Sequence, residues 1–114
     1  MSVVGVDRRT GAFELALGVD DKPSVGLHSG VLEADGKPIA AIVVTELKEV
    51  FEGDFGDEIG EEDTGREVVH IVFANIKALR VFKKHVDACL AMFEAYEAGG
   101  MDNVAKEADR LRKY

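Results

Sequence analysis

VGLHSGVLEADGKPIAAIVVTEL, residues 25–47, decides the fold. Asp35-Gly36 stands between two runs with apolar character. A two-residue type I′ turn needs positive φ at both central positions, which Asp tolerates and Gly accepts freely. The stretch therefore predicts a β-hairpin, with Val25–Glu33 and Ile39–Leu47 as its arms. IAAIVV is nearly all apolar, which predicts a central strand covered on both sides. Pro38 falls near the start of the second arm, where a missing N–H does least harm.

Working outward toward the N-terminus, Phe13, Leu15, Leu17 and Val19 alternate with Glu14, Ala16 and Gly18. This period of two predicts a strand over Ala12–Val19. Arg8-Arg9-Thr10-Gly11 reads as a turn before it, and Val3, Val4 and Val6 as a short strand. Asp20-Asp21-Lys22-Pro23 breaks the pattern. In the other direction TELKEVFE, residues 45–52, has the spacing of a helical turn. Glu67–Ala74, EVVHIVFA, reads as the last strand. The fold class expected is α+β: an antiparallel sheet of four or five strands in a single domain spanning 1–114. A long helix is packed on one face, and a short terminal helix follows.

That long helix is expected from Ile76 to Ala98, with Asn75 as N-cap. Leu79, Phe82, Val86, Leu90 and Phe93 form one stripe. Each such side chain contributes roughly 1.5–3 kcal/mol when fully buried. Ala78, Val81, His85, Cys89, Met92 and Tyr96 widen the apolar arc beyond what one sheet contact needs. Val81, His85, Met92 and Tyr96 are therefore the expected flank for helix packing or dimerisation. Gly99-Gly100 ends the helix. A second helix is expected from Asp102 or Asn103 to Lys113, with Met101, Val104, Ala108 and Leu111 as its stripe.

The chain of 114 residues carries a net charge of −8 from 22 acids and 14 bases. Eight of the acids lie between Glu49 and Asp63 with no Lys or Arg among them, so the other 14 acids balance the 14 bases. The excess charge is confined to one glycine-rich segment, expected as a loop over about 49–66. Phosphate contacts need clustered cations, so nucleic acid is an unlikely partner. Small dimeric single-strand binders also follow a sheet with a helix, but the basic groove and stacking aromatics they need are missing here. No apolar run approaches the roughly 20 residues that span a bilayer. The N-terminal residues do not have the pattern of a secretory signal. With one cysteine, Cys89, no internal disulfide forms; a cytoplasmic location is expected.

The acidic segment invites three readings. As a calcium loop it offers hard oxygens, but the acid spacing from Asp54 or Asp57 fails the EF-hand pattern. As a polyanionic surface, Asp54, Asp57, Glu58, Glu61, Glu62 and Asp63 would face a basic partner. The plain alternative is a solvated, mobile connection between strands. Asp63-Thr64-Gly65 spells an aspartic-protease triplet, but a charged lead-in replaces the apolar strand that a shielded carboxylate pair requires. Asp54-Phe55-Gly56 lacks the rest of a kinase. His85 and Cys89 are spaced as metal ligands on a helix, although Cys89 is more simply a small buried residue. His70, mid-strand in an apolar run, is the candidate for a pocket enzyme or ligand-binding domain if an acid or nucleophile lies within reach. Lys77, Arg80, Lys83 and Lys84 make a modest basic strip.

These residues point first to a non-enzymatic interaction protein: an acidic, homodimeric adaptor, inhibitor or regulator without cofactor or metal. The alternatives are the His70 pocket and a metal-dependent module on the acidic loop.

Overall fold

The computed structural model describes residues 4–19, 21–48 and 51–112. The chain is α+β and divides into two compact units, Met1–Val72 and Phe73–Tyr114.

In the first unit, β1 (Val4–Val6) pairs antiparallel with β2 (Phe13–Leu15), Gly5 opposite Glu14. The turn between them is held by Asp7. Its carboxylate accepts the N–H groups of Arg9 at 2.7 Å and Thr10 at 3.1 Å, and Gly11 takes φ +74°. Those backbone donors hold the Asp7 carboxyl below its ordinary range.

The hairpin is as the sequence predicts, one residue longer on the first arm and two on the second. β3 (Val25–Ala34) pairs with β4 (Lys37–Leu47) in a continuous register from Val25–Glu46 to Ala34–Lys37. Asp35 and Gly36 have φ of 53° and 76°, the signs that a type I′ turn demands. β5 (Thr64–Phe73) lies on the other edge of β4, so IAAIVV is indeed in the central strand. β5 begins three residues earlier than the apolar pattern suggested. Arg66, in that added stretch, pairs with Glu46 at 3.0 Å.

The expectation of one sheet of four or five strands is corrected. Among the described residues the strands form two antiparallel sheets, one of two strands and one of three. The predicted strand at 12–19 shrinks to three residues. Its alternating apolar side chains have no face to bury: Phe13 is 84% exposed, and Leu17 and Val19 are exposed too. Gly18, at φ +76°, then turns the chain away. The helical turn expected at 45–52 is also corrected in its first part, since Thr45–Leu47 belong to β4. Glu49 and Val50 lie outside the described residues, as does Val3.

Burial concentrates where β4 is flanked on both sides. Val44 is 1% exposed, and Thr45 beside it is buried with its hydroxyl donating to the Gly26 carbonyl at 3.4 Å.

The second unit is a helical hairpin. α1 (Ile76–Gly99) starts at Asn75, whose side-chain oxygen accepts the Lys77 N–H at 2.7 Å. Asn75→Ala removes that cap and should cost about 1 kcal/mol of stability. Thermal denaturation followed by helical circular dichroism checks it. Gly100, at φ +76°, ends α1 with its N–H on the Tyr96 carbonyl at 2.7 Å. α2 (Met101–Arg112) follows at once. Its start is set by that glycine rather than by Asp102 or Asn103, because the Asn103 N–H already bonds the Gly100 carbonyl at 3.1 Å. Between the helices runs a groove of about 450 Å³, lined on α1 by Ala88 and Ala91 and on α2 by Leu111. Small residues let the two backbones approach there. Phe73 and Phe82 meet edge to face, with centroids 5.2 Å apart.

Candidate functional site

The acidic segment leaves β4 and returns into β5. Its ends are joined where the Lys48 N–H donates to the Asp63 carbonyl at 3.0 Å. Two tight turns lie between them. In the first, the Asp57 N–H donates to the Asp54 carbonyl at 3.1 Å. The Asp57 carboxylate accepts the Asp54 N–H at 2.6 Å. Gly56 has φ +89°, which closes this turn at no steric cost. The second is a 3-10 turn, Glu61–Asp63, in which the Asp63 N–H bonds the Gly60 carbonyl. The Thr64 hydroxyl donates to the Glu61 carbonyl at 2.8 Å.

Ile59, between the turns, seats the segment on the sheet. Its Cδ1 lies 3.2 Å from where a Cβ on Gly26 would stand. Gly26 is buried, and its lack of a side chain is what lets Ile59 down onto β3. Two grooves flank this contact. One, of about 380 Å³, is lined by the apolar Leu17, Pro23, Val25, Leu27, Phe55 and Ile59 together with Asp54 and Asp57. The other, of about 370 Å³, is lined by His28, Val43, Thr45, Glu61, Thr64 and Glu67.

Of the six carboxylates singled out in the sequence, Asp54, Asp57, Glu58, Glu61 and Glu62 are exposed and Asp63 is half-buried. Among the described residues none of them is in an ion pair; the nearby cation Arg66 is engaged by Glu46. The segment therefore displays its charge without internal compensation. Among the described residues no group of three or more His, Cys, Asp or Glu is arranged to hold a metal ion. Nor is any helix there long and apolar enough to cross a membrane.

The histidines are placed differently from one another. His70 is exposed on β5, its Nε2 3.1 Å from the Glu67 carboxylate. An acid is thus within reach, but it is His28 that lines the second groove. His85 is exposed on α1, and so is Cys89, which corrects the reading of Cys89 as a small buried residue. The turn of α1 that carries Cys89 presents it away from the Ala88–Ala91 face that borders α2. Val81 and Tyr96 of the expected flank are exposed, and Met92 is half-buried.

Sequence reasoning found the carboxylates but not the grooves beside them. The readable signal was Gly26, a glycine interrupting a strand, which marks a close approach by another part of the chain. No family model, no curated protein and no solved structure matches the chain.

Proposed function

We propose that the chain is a non-enzymatic interaction protein that presents the segment Asp54–Asp63 to a basic partner protein and self-associates. One observation carries this reading: six carboxylates, five of them exposed, lie on a hydrogen-bonded double turn with no cation paired to them among the described residues. Like charges held together in this way raise the electrostatic cost of the free state, and a basic partner relieves it. The groove at Asp54 and Asp57 adds a shape to the charge. Apolar walls joined by two carboxylates suit a Lys or Arg side chain, whose aliphatic stem packs while its head group meets Asp54 or Asp57. The self-association part rests on the apolar side chains that α1 leaves exposed, Val86, Leu90 and Phe93 among them.

The test is affinity capture from the native host with the full chain and with Glu61→Gln, Glu62→Gln, Asp63→Asn combined. Each exposed pair is worth about 0–1 kcal/mol. Capture of the partner should therefore weaken by roughly ten- to a hundredfold while the melting temperature stays unchanged. The wild-type capture should also fade as salt is raised. Capture that survives both the substitutions and high salt sinks the electrostatic reading.

A further inference from the structure

One face of α1 has a period of its own. Leu79, Phe82, Val86, Cys89, Phe93 and Tyr96 recur at alternating spacings of three and four, the a and d positions of a heptad. Leu79 is half-buried and Phe82 rests on Phe73, while the four from Val86 onward are exposed. Leu90 and Phe93 are 60% and 71% exposed. This seam points away from Ala88 and Ala91, which border α2. It runs about 26 Å along a helix of 24 residues.

The charges of α1 are sorted along its length. Residues 76–86 carry Lys77, Arg80, Lys83 and Lys84 and no carboxylate. Residues 87–99 carry Asp87, Glu94 and Glu97 and neither Lys nor Arg. That order opposes the helix dipole, which favours acids at the N-terminus and bases at the C-terminus. α2 follows the dipole, with Asp102 in its first turn and Arg110 and Arg112 in its last. The groove between α1 and α2 gathers Arg80, Lys83, Lys84 and Arg110 together with Asp87, and Arg110 pairs with Glu107 on α2 itself. Within α1, Lys83 reaches across to Asp87 at 2.6 Å.

A second α1 laid antiparallel sets each basic half against an acidic half, and the two dipoles oppose. We propose that α1 pairs antiparallel with α1 of a second copy of this chain, about a two-fold axis that crosses the seam at the level of residue 91. Val86 then packs against the partner's Tyr96 and Cys89 against the partner's Phe93. Leu90 meets the partner's Leu90, and Lys83 faces the partner's Glu97. This rests on the self-association reading and names its surface and direction.

The test is sedimentation equilibrium of the full chain as wild type, Lys83→Glu, Glu97→Lys and the double variant, with helical content checked for each. The wild type should be a dimer. Each single change places like charges together at two symmetric sites and should weaken the dimer about tenfold or more. The double variant restores both pairs and should return close to wild type, although the Lys83–Asp87 pair is still lost. Singles without effect, or a double as weak as the singles, overturn the antiparallel pairing while leaving self-association standing. A wild-type monomer at tens of micromolar overturns both. Should the charge variants fail to fold, a spin label at Lys77→Cys in a Cys89→Ala background decides. Antiparallel helices place the two labels about 42 Å apart along the axis, whereas a short separation means a parallel or different contact and overturns the proposal.

Discussion

Val44→Asp should unfold the three-stranded sheet at neutral pH. Val44 is the largest fully buried side chain among the described residues, in the strand flanked by β3 and β5. The substitution removes an apolar group whose burial contributes roughly 1.5–3 kcal/mol and leaves a carboxylate without solvent. Together these should cost more than about 4 kcal/mol, a large share of the 5–15 kcal/mol that typically holds a domain of this size. The burial that penalises the charged form raises the folded-state pKa of the new aspartate above its unfolded value. The penalty is therefore largest above the folded pKa and shrinks as pH falls through it, because the neutral acid is cheaper to bury. Amide exchange should show the β3–β4 protection collapsing at pH 7 and partly recovering at low pH. Val44→Ala, which leaves only a cavity, should cost about 2 kcal/mol and show no such pH dependence. Equal losses in the two variants would mean that position 44 is wet.

Asp35→Pro is the second large effect. Proline fixes φ near −65°, while Asp35 sits at 53°. The substituted turn cannot keep its hand, and the ten cross-strand pairs from Val25–Glu46 to Ala34–Lys37 depend on it for register. A loss of about 3 kcal/mol is expected, with exchange protection lost first at the turn end of the ladder. Asp35→Asn, which tolerates positive φ, should be neutral within about 0.5 kcal/mol. A proline variant as stable as wild type would show that strand pairing outside the turn sets the register.

The acidic segment teaches a narrower lesson about what sequence reveals. Its charge was legible because charge is a property of composition. Its shape was not, because it follows from Ile59 settling on Gly26, two residues 33 positions apart. Cys89 illustrates the same divide. Its place on an apolar arc suggested burial, but an arc says only which way a side chain faces. Whether anything covers it is a property of the neighbours.

What the residues determined by themselves was local. The Asp35-Gly36 turn, the Asn75 cap and the Gly100 stop follow from backbone sterics and short-range hydrogen bonds, which act over a few residues; the central place of IAAIVV was readable from its nearly unbroken apolar character. Tertiary structure decided the rest: the division into two sheets, the shortening of the strand at Phe13–Leu15, and the early start of β5 beside Glu46. Each of those depends on which distant surface is available to bury an apolar face or to complete a ladder, and a chain read one residue at a time carries no such distances.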